Sequence, residues 1–537
     1  MTRSLILIGF MATGKSTVGR LVARDVGLPF VDLDAEVERD AGMAVAEIFA
    51  ARGEGAFRDL EAAALARVLE GGPAVVATGG GAPCREENLQ RMRASGLVVA
   101  LAAPLDEILE RAGDPATRPL LRSPREELEA RYRDRVPIYR RAHVAVETSG
   151  RSVKEVARLV VRAFERARDL DDGALAGSAL VSVEDAVYPV VVEEGSIGEL
   201  GGLVARGLGP SCARVGLVYD SHVGPLYAGR AQRSLEAAGL EVVSAEVPAG
   251  ETSKCAAELE RLCAALVDGG LDRRSAVVAL GGGVVGDLAG FSAAVLYRGI
   301  RLVQVPTTLL AMVDSAIGGK TGINLPSGKN LVGAFWQPSL VVADPSVLAT
   351  LPARELRAAY GELLKYGLLD GEELYARIDA LAPAIAAGER GEGLDEVIRR
   401  CVAIKSWIVG RDEREVTGER ALLNLGHTVG HAIEAATGYE HYLHGEAVAL
   451  GLVAACRVSA SLGLCEPTLE RRVVETLVRA GLDADLRPWI ARDDVLARVG
   501  VDKKRTAGEL AFVTLEGVGA PGLSRVGVDE LAEILRA

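Results

Sequence analysis

Two kinds of apolar pattern alternate along the first third of this 537-residue chain. Short β-rich runs, SLILIG, PFVDLD, AVVATGG, LVVALAA and HVAVET, are separated by longer amphipathic stretches between residue 4 and about residue 168. Alternation of this kind predicts a parallel sheet covered by helices. The helical segment SVKEVARLVVRAFERARDL closes that domain, taken as residues 1–168. The next stretch is small and weakly patterned and includes DDGALAGSALVSVED, so residues 169–185 are expected to be a linker between independently folded bodies. A second alternating region follows over residues 186–350, with YPVVVEEG, RVGLVYD, EVVSAEVPAG, SAVVALGGG and RLVQVPTT. Over residues 351–537 the periodicity is mainly helical, with one late β-like run at ELAFVTLE. The fold class expected is α/β throughout the first two regions, the second Rossmann-like and followed by a mainly helical part. Ligands of the second body are expected in the cleft between its α/β and helical parts.

Composition narrows the partners. Hydrophobic residues make up 49% and charged residues 25%, as in a soluble globular protein. Aromatics are only 4% and the net charge is -13, which argues against nucleic acid and anionic membrane as partners. An anionic substrate therefore needs a local cluster of Lys and Arg. The most apolar long stretch, near residues 275–297, is broken by Asp287 and dense in glycine, so no membrane span is expected. The seven cysteines form no C-x-x-C pair and the first residues lack a signal-peptide pattern, which together predict a cytoplasmic protein with reduced thiols.

The first chemistry-bearing motif is GFMATGKS, Gly9 to Ser16, which fits G-x-x-x-x-G-K-[ST] between a strand and a helix. In that context loop N–H groups and the helix N-terminus face phosphates, Lys15 reaches the β- and γ-phosphates, and Ser16 ligates Mg2+. The acceptor is suggested by other segments. DLD at the end of the second strand puts Asp32 and Asp34 on one side of it, one for the metal shell and one for an acceptor hydroxyl. EGAFRDLE contributes Arg58, TGGG contributes Gly79, Gly80 and Gly81, and TRPLL and RVPIYR contribute Arg118 and Arg135. Taken singly, each arginine reads as a surface charge.

Together, over nearly all of residues 1–165, these segments resemble the shikimate kinases. The resemblance implies ATP contacts at Ala12, Thr13, Gly14, Lys15, Ser16, Thr17 and Arg118, the last in a lid, and shikimate contacts at Asp34, Arg58, Gly80 and Arg135. Ser16 and Asp32 would hold Mg2+, with Lys15, Asp34 and Arg118 catalytic. Such a site suits phosphoryl transfer, which needs positioning and charge neutralisation, and a guanidinium grips a carboxylate through two hydrogen bonds. Ala12 departs from the family, which usually has glycine there.

In the second body GGGVVGD, Gly281 to Asp287, contains G-x-G-x-x-G after a strand. The acidic residue usually found about 20 positions later is absent, but Asp220 ends an earlier strand and is a candidate for the ribose. Four of the six histidines, His427, His431, His441 and His444, fall in one short stretch. On a helix His427 and His431 share a face, which is metal-ligand spacing. The plainer reading is one histidine on a solvated face and another in the core. YGELLKYG adds Glu362 and Lys365, and Glu362 with His427 and His444 would make a two-nitrogen, one-carboxylate set suited to Zn2+. Lys320, Lys329 and Asn330 lie with Asp314 in Gly-rich, loop-like sequence, and VDKKRTAGE adds Lys503 and Lys504. Such lysines are usually solvated charges, but gathered beside a cleft they point to an anionic substrate.

In content and order these motifs resemble 3-dehydroquinate synthase over about residues 186–537. That resemblance implies a zinc (or Co2+) site at Glu362, His427 and His444. It implies NAD contacts at Asp220, Glu251, Lys254, Gly282, Gly283, Val284, Asp287, Thr307, Thr308, Asp314, Lys320, Lys329 and Thr350. Substrate contacts would come from Lys320, Lys365, Arg420, Asn424 and His431, from one of Lys503 and Lys504, and from Arg298 reaching a neighbouring subunit of a homodimer. Lys320, Lys365 and His431 would be catalytic. The reaction implied is NAD- and metal-dependent conversion of 3-deoxy-arabino-heptulosonate 7-phosphate to 3-dehydroquinate with phosphate release. Two alternatives stay open at this stage: a metal-dependent polyol dehydrogenase resembling glycerol dehydrogenase, and a first body that binds nucleotide for regulation only.

Overall fold

The structure, a computed structural model, describes residues 3–112, 124–184, 186–438, 440–499, 505–506 and 509–536. The chain divides into two compact units, one of Met1–Val191 with Val409–Arg411 and one of Val192–Ile408 with Asp412–Ala537.

The first unit holds strands β1 (Ser4–Ile8), β2 (Phe30–Asp32), β3 (Val75–Ala77), β4 (Gly96–Ala102), β5 (Val144–Glu147), β6 (Ser178–Ser182) and β7 (Val187–Val192). They lie in the order β2-β3-β1-β4-β5-β6-β7, parallel except for the β6–β7 pair. β1 and β4 are buried at every position, as central strands covered on both faces must be. Helix Lys15–Val26 follows β1 directly and stops at Gly27, whose φ of 70° is the left-handed conformation that glycine adopts without strain. Helix Val153–Arg168 starts at Ser152, whose hydroxyl accepts from the Glu155 N–H while Glu155 reaches back, a capping box.

Two expectations fail in this unit. Residues 169–185 are not an unstructured linker: Asp172–Ala176 is helical and β6 is a fully buried strand paired to β5 and β7. The SALVS sequence of β6 is rich in small residues, which carry little of the apolar signal that a strand buried on both faces usually shows. Asp34 is not on β2 with Asp32; the strand ends at Asp32 and Asp34 lies in the first turn of helix Leu33–Ala41.

The second unit has strands β8 (Arg214–Asp220), β9 (Glu241–Val247), β10 (Ala276–Gly281), β11 (Arg301–Pro306) and, later in the chain, β14 (Leu340–Ala343). Their order is β14-β11-β10-β8-β9, all parallel. Between β11 and β14 comes an antiparallel ribbon of β12 (Lys320–Leu325) and β13 (Gly328–Phe335). This corrects the expectation of loops around Lys320, Lys329 and Asn330; glycines at 322 and 333 let the two backbones cross closely and hide the strand pattern. The helical part follows from Ala353, and its end is a three-stranded antiparallel sheet of β15 (Arg505–Thr506), β16 (Glu509–Gly517) and β17 (Ala520–Gly527), of which only β16 was legible.

Three helices of this part, Ala353–Asp370, His427–Ala436 and His444–Ser461, pack unusually closely. A β-carbon on Gly361 would strike the Gly445 carbonyl, one on Gly445 the Ala358 carbonyl, and one on Gly430 would lie 2.9 Å from the Ala447 carbonyl oxygen. Glycine at these contacts sets the helix spacing, and that spacing positions the site.

Candidate active sites

In the first unit the loop after β1 takes left-handed backbone at Ala12 (φ 59°) and Gly14 (φ 92°). Ala12 thus holds a conformation that costs a residue with a β-carbon roughly 1–2 kcal/mol, which is why glycine suits the position. Lys15 Nζ donates to the carbonyls of Gly9 (2.9 Å) and Phe10 (2.8 Å), and Thr13 Oγ1 donates to Phe10 O at 2.9 Å. Ser16 Oγ donates to Asp32 Oδ2 at 2.7 Å, so these two residues meet at the helix N-terminus. Thr17 is exposed in the first helical turn.

Beside the loop the T-G-G-G segment is walled in by charge. A β-carbon on Gly79 would lie 2.6 Å from Glu61 Oε1 and 2.9 Å from Asp34 Oδ1, and one on Gly80 would lie 3.4 Å from Arg135 Nη1. Arg58 donates to Glu61 Oε2 at 2.8 Å, and Tyr139 OH donates to Gly80 O at 2.7 Å. Burial raises the Asp34 carboxyl above its ordinary range, helped by Asp32 and opposed by Lys15 and Arg58. Burial likewise raises Glu61, against the Arg58 charge, and Glu61 Oε1 is buried with no hydrogen bond. Asp34, Arg58, Gly80 and Arg135 are therefore brought together, and Glu61 joins them. Glu61 was missed, although its place one turn after Arg58 on the same helix is a signal for it. Arg118 lies outside the described residues.

In the second unit Glu362 is completely buried and is approached by Lys365 Nζ, by His427 Nε2 at 3.3 Å and by His444 Nε2 at 3.5 Å. His427 Nδ1 donates to the Leu425 carbonyl at 3.2 Å, which turns its Nε2 toward Glu362. His444 Nδ1 meets Glu434 Oε2 at 3.2 Å, which turns its Nε2 toward Glu362. His431 completes the group: one nitrogen from each of His427, His431 and His444 lies within 4.8 Å of the others. Both Glu362 oxygens are buried without a hydrogen bond of good geometry. Two imidazole nitrogens that converge on a buried carboxylate make a donor set that fits a divalent cation.

The charges agree. Burial opposes ionisation of Glu362, but Lys365 and the two histidines hold its pKa well below the carboxylate range. Burial would lower His444, yet Glu362 and Glu434 raise it to about 10, so a cation binding there displaces a proton. Burial, then the neighbouring histidines, push His431 down to about 3, which leaves it neutral. Asp314 accepts from Lys405 Nζ at 2.5 Å and lies 4.0 Å from Lys365 Nζ, and these lysines outweigh burial to keep it ionised. Lys405 itself is pushed down to about 8 by burial, against the pull of Asp314. Lys320 pairs with Glu415 at 2.9 Å and Lys329 lies 3.7 Å from Glu434. Arg420 is buried and donates to the carbonyls of Glu413 and Gly318, at the start of the short helix Arg420–Asn424.

Around helix Gly283–Val295 the dinucleotide candidates assemble. Gly282 and Gly283 form its N-terminus, followed by Val284, with Thr308 and Ser315 side chains close against the two glycines. Thr307 Oγ1 is buried without a hydrogen bond. Lys254 Nζ donates to Asp287 Oδ2 at 2.6 Å and lies 3.6 Å from Glu251. Asp220 accepts from the His222 and Val223 N–H groups, and Thr350 Oγ1 meets Tyr227 OH at 2.7 Å. Arg298 is exposed, with left-handed backbone (φ 68°), and among the described residues it contacts none of these groups. Lys503 and Lys504 lie outside the described residues. Glu434, Lys405 and Glu415 were not anticipated. Glu434 had a signal, since residues 427, 431 and 434 share a helix face.

Comparison with known proteins follows the same division. Residues 11–165 match the shikimate kinase family, residues 244–358 the N-terminal part of 3-dehydroquinate synthase and residues 359–505 its C-terminal part. The 3-dehydroquinate synthase of Gloeobacter violaceus is 48% identical over 349 residues, covering 65% of this chain and 94% of that protein. The chain belongs to the 3-dehydroquinate synthase family. The synthase of Paracoccus denitrificans is 46% identical over 337 residues, 62% of this chain and 90% of its own length. The shikimate kinase match accounts for the chain ahead of this synthase part. A solved 2-deoxy-scyllo-inosose synthase complexed with carbaglucose-6-phosphate, NAD+ and Co2+ is 26% identical with a TM-score of 0.59, covering 67% of this chain and 99% of that one. A 2-epi-5-epi-valiolone synthase from Streptomyces hygroscopicus with NAD+ and Zn2+ bound is 27% identical, also with a TM-score of 0.59, over 66% of this chain and 97% of its own.

Proposed function

We propose that the chain is a bifunctional enzyme whose first unit transfers phosphate from ATP to shikimate. Its synthase unit converts 3-deoxy-arabino-heptulosonate 7-phosphate to 3-dehydroquinate and phosphate. The observation that carries the second activity is the convergence of His427 and His444 on buried Glu362, at 3.3 and 3.5 Å, with Lys365 alongside.

In the first unit Lys15 and the loop N–H groups hold the triphosphate, and Ser16 with Asp32 holds Mg2+. Asp34 accepts the hydroxyl proton of the acceptor, and Arg58 and Arg135 grip its carboxylate. Glu61 fixes the Arg58 guanidinium through their 2.8 Å bond. In the second unit Glu362, His427 and His444 hold a divalent cation, Zn2+ or Co2+. Bound there, such a cation would supply Lewis acidity to a substrate hydroxyl, and NAD would supply reversible hydride transfer. The chain's own residues orient the substrate: Lys365 beside Glu362, Asn424, Lys320 and Arg420 on its polar and anionic groups, His431 as a neutral imidazole at the reacting carbons. Asp220, Glu251, Lys254, Asp287, Asp314, Lys329 and the Gly282–Val284 turn hold the dinucleotide, with Thr307, Thr308 and Thr350. The neighbours solved with NAD and a divalent metal support this reading.

The same reading makes the enzyme a cytoplasmic homodimer joined through the synthase unit. All seven cysteines are free, and among the described residues no helix is long and apolar enough to cross a membrane. Leu325, Leu331, Val332 and Phe335 of the ribbon are exposed apolar side chains.

The test is direct. The purified chain should release inorganic phosphate from the sugar phosphate only with NAD and a divalent metal present, without accumulating NADH, and should form ADP with shikimate. Steady NADH production from polyols with no phosphate release would favour the dehydrogenase reading instead.

A further inference from the structure

The ribbon of β12 and β13 loses register near its turn. Ile323 pairs with Val332 and Leu325 with Gly328, so Asn324 alone on one strand faces Lys329, Asn330 and Leu331 on the other. Irregularities of this kind turn side chains out of the ladder toward new partners. Here Asn330 holds a left-handed φ of 56°, a conformation that asparagine takes more readily than other residues with a β-carbon and that a partner on its N–H can fix.

Asn324 supplies that fixing. Its Oδ1 accepts the Asn330 N–H at 2.9 Å, its Nδ2 donates to Glu251 Oε1 at 2.8 Å, and its own N–H donates to the Lys254 carbonyl at 2.7 Å. Asn330 Oδ1 accepts from Lys254 Nζ at 2.6 Å, and the same ammonium donates to Asp287 at 2.6 Å. Asn324 therefore closes a loop of hydrogen bonds through Glu251, Lys254 and Asn330, and Lys254 extends it to Asp287. A network whose members hold one another in place keeps a pocket ready for its ligand and lowers the ordering cost of binding.

We propose that Asn324 is a positioning residue for the dinucleotide pocket, which acts through Asn330 and Lys254 to fix the wall formed by Glu251, Lys254 and Asp287. The proposal rests on the NAD reading of this pocket. It predicts a loss of cofactor affinity without a loss of turnover, because Asn324 acts on the pocket wall and not on the reacting atoms.

Full-length Asn324→Ala and Asn324→Asp proteins, with the wild type, are titrated with NADH by nucleotide fluorescence and assayed for phosphate release over a range of NAD. Alanine removes two side-chain hydrogen bonds, so NADH Kd and NAD KM should rise about ten-fold, with kcat at saturating NAD within about two-fold. Aspartate keeps the acceptor for Asn330 but sets a carboxylate against Glu251 in place of the donor, so its affinity should fall at least as far as that of alanine. An alanine variant that binds NADH within two-fold of wild type overturns the proposal. So does a kcat loss as large as the KM rise, and so does an aspartate variant as tight as wild type, which also serves if alanine fails to fold. If the wild type itself binds no NADH, the NAD reading falls and the proposal falls with it.

Discussion

The candidate phosphate loop of the first unit and the candidate metal cluster of the second solve similar electrostatic problems by opposite routes. The loop is eight consecutive residues, and its shape is set by backbone conformation at Ala12 and Gly14. The cluster draws on residues from Glu362 to His444 on three helices, and its shape is set by how closely those helices pack. The degree of burial differs as well. Arg58 keeps 22% of its side-chain surface, whereas Glu362 and Lys365 keep 0% and 1%. A partly exposed charge can lose its partner at modest expense, but a buried one left unpaired costs several kcal/mol. Arg58 should therefore tolerate the loss of a neighbour better than Glu362, Lys365 or its own buried partner Glu61.

The sharpest test of that comparison separates the two activities. Lys15→Ala should lower shikimate phosphorylation by at least about 10²–10³-fold and leave phosphate release intact, and His427→Ala should do the reverse. A folded variant that silences both activities would break the picture of two independent sites. Next in size is Glu434→Ala, which frees His444 Nδ1 from its carboxylate. Metal affinity should fall about 10–100-fold, read by titration with a zinc-selective chelator in excess Mg2+, while kinase activity stays unchanged. Within the kinase, Gly79→Ala places a methyl group 2.6 Å from Glu61 and 2.9 Å from Asp34. The displaced carboxylates should raise the shikimate KM about ten-fold, as expected for roughly 1.4 kcal/mol of lost binding, with the ATP KM nearly constant.

The smallest effect concerns a buried histidine that is not a ligand. His143 in the first unit is 0% exposed, its Nδ1 accepts the Val98 N–H at 3.0 Å, and its Nε2 has no hydrogen-bond partner. Burial, then Arg93 and Arg3, hold its pKa well below 6.5. The unfolded chain therefore binds the extra proton first, so the stabilisation is present above about pH 6.5 and is lost as pH falls toward the depressed folded value. The slope should be about 1.4 kcal/mol per pH unit. Urea titrations followed by kinase activity at pH 7, 6 and 5 should show it, and His143→Gln should flatten it. An equally steep decline in the glutamine variant would assign the acid sensitivity elsewhere.

Much of the fold was legible as pattern. SLILI, RVGLVYD and AVVALG became the central strands β1, β8 and β10, because parallel strands buried on both faces leave dense apolar runs. The glycine-interrupted ribbon, the small-residue strand β6 and the hairpin partner β17 left no such trace. Among site residues, Lys15, Ser16 and the histidine pair stood out through contiguous motifs. Glu61, Glu434, Lys405 and Glu415 did not, since a single charged residue reads the same whether it faces water or a buried partner.

What the sequence determined by itself is everything that depends on neighbours along the chain: the phosphate loop, the strand–helix alternation, the helical spacing of His427 and His431. Only the tertiary structure decided which distant charges meet. Glycine contacts at 361, 430 and 445 bring helix axes close enough for Glu362, His427 and His444 to share one point, and Asn324 ties a ribbon to Glu251 and Lys254. The physical reason is range: backbone conformation is set by adjacent residues, whereas pairing of buried charge is set by packing that no local pattern records.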